Sequence, residues 1–288
     1  MTDVTYLSGA ARLAGVIGWP IKHSRSPRLH GYWLKRYGVD GAYVPLAVVP
    51  ERLETAIRGL QALGFRGVNL TLPHKELVLP LVDEMSETAR RIGAVNTIIF
   101  GEHGCIKGDN TDGFGFMANL QAGAPTWSPG DGPAILLGAG GAARAIAVAL
   151  LDAGVPSIRL ANRTAERAEH LATALRPVAT GRAIEVIAWD ERQDALDGAG
   201  LLVNTTSLGM SGQQPLEIGL GSLPETAVVT DIVYAPLETE LLAAARARGN
   251  PVVDGLGMLL HQGRPGFAAW FGHDPEVTDA LRAVVLAD

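Results

Sequence analysis

Cysteine is almost missing from this chain. Of 288 residues only Cys105 carries a thiol, which excludes an intrachain disulfide and a cysteine-built zinc cluster. Basic charge is not in excess either: 24 Lys and Arg against 30 Asp and Glu leave a net charge of −6 and a pI near 5.7. No basic footprint therefore argues for nucleic acid or an anionic membrane as partner. An anionic ligand must be held by local positive charge or by hydrogen-bond donors, not by the overall field. No apolar run reaches the roughly 18 residues that a membrane span needs. The stretch from Met1 to Ala11 lacks the basic region and apolar core of a secretory signal. The expectation is a cytoplasmic protein with no membrane partner and no metal site. Solenoid-period repeats and low-complexity tracts are absent as well.

What is present is an ordinary globular balance, 47% hydrophobic and 19% charged, in a length that suggests two domains. The first third alternates strand-like segments (12–18, 42–48, 67–72, 96–100) with helical ones after Ser26, over 50–63 and around 86–92. Pro27 sits in the first turn of its helix, where a missing N–H costs nothing. Pro73 must end the third strand or lie at its edge. The strand 96–100 is expected to form a hairpin with 103–107. Gly, Pro and Ser crowd residues 122–133, which read as a loop. A β-α-β unit follows (134–137, 141–153, 157–161), then strands near 184–188, 201–204, 228–232 and 251–253. The last segments, 257–262 and 276–286, read as helical. The fold class is α/β.

Leu137-Gly138-Ala139-Gly140-Gly141-Ala142-Ala143 fits G-x-G-x-x-A between a strand and a helix. Gly138 allows the tight turn, Gly140 admits a pyrophosphate to the helix N-terminus, and Ala143 lets helix and strand pack closely. A glycine triplet alone is a weak signal; in this strand–turn–helix context it points to a dinucleotide. The tip of the next strand reads Ala161-Asn162-Arg163-Thr164-Ala165-Glu166-Arg167. It carries no carboxylate for a ribose 2′-hydroxyl, and two arginines four apart instead. They suit a 2′-phosphate, hence NADP; the competing reading is a pair of surface charges, with Arg167 bound to Glu166 or Glu169.

The N-terminal third adds Gly18-Trp19-Pro20-Ile21-Lys22-His23-Ser24-Arg25-Ser26-Pro27. Two serines in such a loop can offer hydroxyls to a carboxylate, or simply cap the helix. Asn69 and Thr71 share one face of a strand end. Lys75, Asn96 and Asp112 follow in short polar strings, each with a structural explanation as surface charge, cap or turn.

Together these strings resemble the shikimate dehydrogenase family. The resemblance runs through G-x-P-x-x-H-S-x-S-P at 18–27, N-x-T-x-P-x-K at 69–75, G-A-V-N-T at 93–97 and N-T-D-x-x-G at 110–115. It continues through G-A-G-G-A at 138–142, N-R-T at 162–164, N-T-T-x-x-G-M at 204–210, D-x-x-Y-x-P at 231–236 and G-M-L-x-x-Q-G at 257–263. Trp19 and Gly31 depart from it, standing where many members carry a polar residue. The resemblance implies a reversible reduction of 3-dehydroshikimate to shikimate with NADP, in the chorismate route to aromatic amino acids. It implies that Lys75 and Asp112 form the catalytic pair and that Ser24, Ser26 and Tyr234 hold the substrate carboxylate. Asn69, Thr71, Asn96 and Gln262 would line the pocket. Gly138, Gly140, Gly141, Ala142, Asn162, Arg163, Thr164 and Arg167 would bind the cofactor, with Asn204, Thr205 and the backbone near Gly255 along its nicotinamide half. The implied architecture is a substrate-binding α/β domain, residues 1–111 completed by C-terminal helices 256–288, and a Rossmann-type doubly wound NADP domain, residues 112–255. A monomer or homodimer is expected.

Overall fold

The computed structural model describes residues 7–287. Residues 1–6, the first part of the stretch read above for a secretory signal, lie outside the described residues. The chain divides into two compact units, Met1–Thr111 with Gln262–Asp288, and Asp112–His261. The return to the first unit thus falls inside the helix Leu256–Phe271, later than the residue 256 expected from sequence.

The first unit contains β1 (Arg12–Gly18), α1 (Ser26–Arg36), β2 (Gly41–Ala47), α2 (Leu53–Ala62), β3 (Gly67–Leu70), α3 (His74–Leu77), β4 (Glu84–Met85), α4 (Glu87–Ile92), β5 (Thr97–Phe100) and β6 (Ile106–Asp109). The second contains α5 (Asp112–Gly123), β7 (Ala134–Leu137), α6 (Gly141–Ala153), β8 (Ser157–Ala161), α7 (Ala165–Leu175), β9 (Ala183–Ile187), β10 (Leu201–Asn204), β11 (Val228–Asp231), α8 (Glu240–Ala247) and β12 (Val252–Val253). Helix α9 (Leu256–Phe271) then crosses the division, and α10 (Asp279–Leu286) belongs to the first unit. No helix of the described residues is long and apolar enough to cross a membrane.

In the first unit a six-stranded mixed sheet runs β2-β1-β3-β5-β6-β4. β2 is an edge strand, so Pro45 in its middle deprives no second neighbour of a hydrogen bond. One face packs Ile17, Val68 and Ile98 on Ile57, Leu60 and Ala89 from the helices. Aromatic rings fill another part: Trp33, Phe267, Trp270 and Phe271 are all at most 2% exposed. Ser86 caps α4 by accepting from the Ala89 amide at 3.0 Å, and Gly93 closes it at φ 68°. The strand partner of β5 is 106–109, a shift from the 103–107 expected, because His103 adopts φ 56° inside the turn and cannot be extended. Helix α9 runs through Gly263, Pro265 and Gly266, which sequence reading placed beyond its end. Packing overrides propensity here: a methyl at Gly263 would lie 2.9 Å from the Leu29 side chain and 3.3 Å from the Trp33 ring.

In the second unit all strands are parallel, in the order β12-β11-β10-β7-β8-β9. Counted from its own first strand this is the 3-2-1-4-5-6 arrangement of doubly wound dinucleotide folds. Both sheet faces are covered, so β7 and β10 are buried at every residue and read as continuous apolar runs broken only by Asn204. The expected loop over 122–133 begins later than its composition suggests. Helix α5 continues to Gly123, where a methyl would lie 2.9 Å from Val253, so the glycine permits the helix end to rest on β12.

The tips of β10 and β11 are tied by one buried carboxylate. Asp231, 1% exposed, accepts from the Val233 amide (2.9 Å), Asn204 Nδ2 (3.0 Å) and the Thr239 hydroxyl (2.9 Å). Burial raises its pKa above the ordinary aspartate range, and the three hydrogen bonds, from Val233, Asn204 and Thr239, oppose that rise without cancelling it.

Two outcomes are expected. A methyl at Gly67 would lie 2.0 Å from the Ile98 carbonyl oxygen and 2.1 Å from Trp270 Nε1, between the partners of a 3.0 Å hydrogen bond. Gly67→Ala should cost about 2–4 kcal/mol in urea unfolding, from overpacking plus a lost buried hydrogen bond; an unchanged midpoint would contradict the packing described. For Asp231, the folded state holds the proton more tightly than the unfolded state. Its contribution is therefore fully present below the ordinary aspartate pKa and is lost as pH rises through the raised value. Asp231→Asn, with the Thr239 hydroxyl reversed to accept, should gain stability relative to the native protein across that rise. A difference between the two proteins that is flat with pH would refute this.

Candidate functional site

The turn after β7 lies where the strand order reverses, the place at which open parallel sheets leave a crevice for ligands. Its three glycines have different causes. Gly138 has φ 112°, and a methyl there would lie 2.5 Å from Thr205 Oγ1, so its identity is dictated by internal packing. Gly140 and Gly141 are exposed, and a methyl on either would meet no heavy atom within 4 Å. Among the described residues nothing requires those two to be bare, and the open space leaves their backbone accessible to a ligand. Gly140 stands at the N-cap of the thirteen-residue α6 without a side-chain cap, and the first turn carries no acid. The first amides of α6 are thus offered to an anion. Ala142 is partly exposed in the same turn, and Ala143 is fully buried beneath it.

At the tip of β8, Asn162 Nδ2 donates to the Thr164 carbonyl at 2.8 Å and bends the chain into α7. Arg163, Thr164 and Arg167 are exposed. Among the described residues neither guanidinium has a hydrogen-bond or ion-pair partner, so the alternative pairing of Arg167 with Glu166 or Glu169 is not what the structure contains. Two unpaired cations at the strand tip next to the glycine turn suit a ribose phosphate, and the residues present fit a phosphorylated dinucleotide.

The side chains expected near the nicotinamide are occupied with the protein itself. Asn204 is fully buried; its Nδ2 donates to Asp231 and to the Leu208 carbonyl, and its Oδ1 accepts from the Thr206 amide and hydroxyl. Thr205 Oγ1 donates to the Leu137 carbonyl at 2.7 Å. Gly255 is buried with its α-carbon against the Ile232–Val233 backbone, where a methyl would lie 2.4 Å from the Ile232 carbonyl. All three shape the loop walls, and Asn204 has no side-chain capacity left for a ligand. Tyr234 and Asp112 also belong to this unit; Tyr234 is partly exposed, and Asp112 is 3% exposed as the first residue of α5. An acid at a helix N-terminus is favoured by the dipole.

Ser24, Ser26, Asn69, Thr71, Lys75, Asn96 and Gln262 all lie in the first unit. The N-cap of α1, Arg25, makes no side-chain cap bond, its guanidinium donating instead to the Val285 carbonyl at 2.6 Å, while Ser24 Oγ accepts from the Ser26 amide, the first of the helix, at 3.3 Å. Thr71 is fixed by its backbone, donating to Ile17 and accepting from His74, both at 2.9 Å. Lys75, half-buried in the single turn of α3, is anchored by its carbonyl, which accepts from the Val95 amide at 2.8 Å.

A chain of hydrogen bonds joins most of the others. Asn69 Nδ2 donates to the Asn96 carbonyl (3.1 Å) and to Thr97 Oγ1 (3.0 Å). Asn96 Oδ1 accepts from Thr97 Oγ1, the Thr111 amide and Thr111 Oγ1 at 2.8–3.2 Å. Thr111 Oγ1 reaches the Gln262 carbonyl at 2.9 Å. Tyr43, Thr97 and Thr111 carry no role in the sequence reading. Thr97 and Thr111 sat inside the strings that bore the resemblance; Tyr43 lay in a strand whose apolar pattern hid it. The Tyr43 hydroxyl donates to Asn69 Oδ1 at 2.7 Å. Its ring stacks on His30 with centroids 3.9 Å apart, and burial pushes the His30 pKa down to about 3, so that imidazole is neutral. Of the two departures from the family pattern, Trp19 is 49% exposed and Gly31 has open space where a side chain would be.

Comparison with known proteins bears on these two sets of residues. Residues 16–98 match the shikimate dehydrogenase substrate binding domain, 130–209 the shikimate/quinate 5-dehydrogenase family, and 255–286 the shikimate 5′-dehydrogenase C-terminal domain. The NADP(+) shikimate dehydrogenase of Paramagnetospirillum magneticum is 60% identical over 98% of this chain and 100% of that protein. The quinate dehydrogenase of Corynebacterium glutamicum, solved with NAD, is 33% identical with a TM-score of 0.89, over 96% of this chain and 99% of that one. The shikimate 5-dehydrogenase of Thermus thermophilus, solved with NADP(H) and shikimate, is 36% identical with a TM-score of 0.83, over 95% of this chain and 98% of that one. The chain belongs to the shikimate dehydrogenase family.

Proposed function

We propose that this chain is an NADP-dependent shikimate dehydrogenase, reversibly reducing 3-dehydroshikimate to shikimate in aromatic amino-acid biosynthesis. The observation that carries the reading is the 60% identity, over nearly the whole of both chains, to a protein named for that activity. The open Gly140–Gly141 turn and the unpaired Arg163 and Arg167 support the cofactor half of it. It acts in the cytoplasm, as a monomer or homodimer.

Bound NADPH supplies the hydride for the ring ketone. The chain's own residues must hold the ring and manage one proton. Ser24, Ser26 and Tyr234 take the carboxylate as hydrogen-bond donors, and Asn69, Thr71, Asn96 and Gln262 border the ring hydroxyls. Lys75 gives its ammonium proton to the ring oxygen on reduction and recovers it on oxidation, while Asp112 orients the ammonium. Arg163 and Arg167 take the 2′-phosphate, with Asn162 and Thr164 shaping the turn that presents them.

A quinate-preferring, NAD-using relative is the competing reading, favoured by the likeness to the Corynebacterium glutamicum enzyme. Serine at position 26 argues against it: the family resemblance associates threonine there with quinate users. Quinate also carries an extra hydroxyl on the carbon that bears its carboxylate, so the carboxylate leaves the ring at another angle.

Steady-state assay of shikimate and quinate, each with NADP and NAD, tests the reading. Shikimate should be preferred by at least about tenfold in kcat/KM, roughly 1.4 kcal/mol of transition-state discrimination; comparable turnover of both acids would promote the competing reading. Lys75→Ala should lower kcat about 10²–10⁴-fold with cofactor affinity nearly retained. Adding Asp112→Asn should do much less than multiply that loss. For the cofactor, Arg163→Ala with Arg167→Ala should raise the KM for NADP about tenfold or more and leave NAD usage nearly untouched. The native preference should shrink with added salt. Equal losses with both cofactors would make the arginines structural.

A further inference from the structure

A charge taken partly out of water needs an answering charge, and one cation of the second unit has none. Arg144 follows the glycine turn on α6; it is partly buried, and its Nε is buried without a hydrogen-bond partner. Among the described residues no carboxylate lies in ion-pair reach of its guanidinium. The dipole at the N-terminal end of a helix disfavours a cation as well. No counter-charge among the described residues offsets either cost.

The helix geometry shows where this cation faces. Ala143 and Ala147, both fully buried, mark the side of α6 turned to the sheet. A methyl at Gly113 of α5 would lie 3.0 Å from the Ala145 carbonyl oxygen and 3.0 Å from Ala149 Cβ, so α5 covers the flank that carries those two residues. At about 100° per residue, Arg144 stands on the opposite flank. Helix α5 ends against β12, whereas α7 packs on α6, β8 and β9, and β12 and β8 lie on opposite sides of β7. The flank of Arg144 is therefore the one that faces α7. Helical side chains lean toward the N-terminus of their own helix. Because β7 and β8 are parallel, the N-termini of α6 and α7 share one edge of the sheet. Arg144 is thus aimed between the glycine turn and the turn that presents Arg163 and Arg167, which are themselves unpaired.

We propose that Arg144 is a third cation for the 2′-phosphate of the cofactor and contributes to the choice of NADP over NAD. The inference rests on the cofactor reading above. Water can solvate the exposed Arg163 and Arg167 singly, but the buried Nε of Arg144 is answered only by a ligand.

Calorimetric titration of the native chain with NADP and with NAD comes first; equal affinities would remove the cofactor reading itself. Given a native preference for NADP, Arg144→Met, which keeps the stem and drops the charge, should raise the Kd for NADP at least about tenfold and that for NAD less than about twofold. Affinity for 2′,5′-ADP, which carries the 2′-phosphate without the nicotinamide half, should fall as NADP affinity does, and affinity for 5′-AMP should hold. Arg144→Lys, which keeps the charge without the planar fork, should fall between the native protein and Arg144→Met. The melting temperature of the ligand-free Arg144→Met protein should hold or rise, since an uncompensated charge has left a partly buried position. Equal losses for NADP and NAD, native-like NADP binding by Arg144→Met, a lysine variant no better than the methionine one, or a lowered melting temperature would each overturn the proposal.

Discussion

The carboxamide oxygen of Asn96 accepts from Thr97 Oγ1 and the Thr111 amide, and it shares the single Thr111 hydroxyl proton with the nearer Gln262 carbonyl. Asn96 is 4% exposed, and an oxygen so buried is stable only if its lone pairs are answered from within the protein. Answering them draws the residues after β6 back against the start of β5, which determines where the chain turns into α5. The Asn96 backbone carbonyl meanwhile fixes which way round the Asn69 amide sits. From there the polarity passes to Tyr43, whose hydroxyl donates to Asn69 Oδ1.

The second unit depends on a comparable constraint of opposite chemistry. The Asp231 carboxylate is buried and hydrogen-bonded on both oxygens, and through Asn204 and Thr239 it links the segments after β10 and β11. That network consumes Asn204 and leaves the glycine turn after β7 as the part with unmet backbone donors. The division of labour is physical. Saturated groups hold loops still, and unsaturated ones, the first amides of α6 and the guanidiniums of Arg163 and Arg167, are left for a ligand.

Residues named for a family motif therefore separate into two kinds. Gly140 and Gly141 are bare toward open space, whereas Gly138 and Gly255 are bare because another part of the chain occupies the volume a side chain would need. Asn69 and Asn96 belong to a network within reach of one another, whereas Asn204 and Thr205 serve the loop that carries them. A motif string records both kinds identically, since either loss is damaging.

The order of elements, the β-α-β unit and its glycine turn, and the arginine pair at the tip of β8 were determined by sequence alone, because they follow from local rules of periodicity, turn chemistry and charge. The same rules placed the helix start at Ser26 and the end of β3 before Pro73. They failed where distant atoms decide. Gly123, Gly263 and Gly266 read as breakers, yet each lies in a helix because a neighbour fills the space its side chain would take. Tyr43 read as one more apolar strand residue, since nothing near it in sequence shows that Asn69, from another strand, offers its hydroxyl a buried acceptor. Asp231 stood inside a quoted string without a role, because its burial and three donors come from segments brought together only by the parallel sheet. Local patterns fix what each segment becomes; which polar groups are buried together, and so which are left to bind, is a property of packing between segments that no single segment contains.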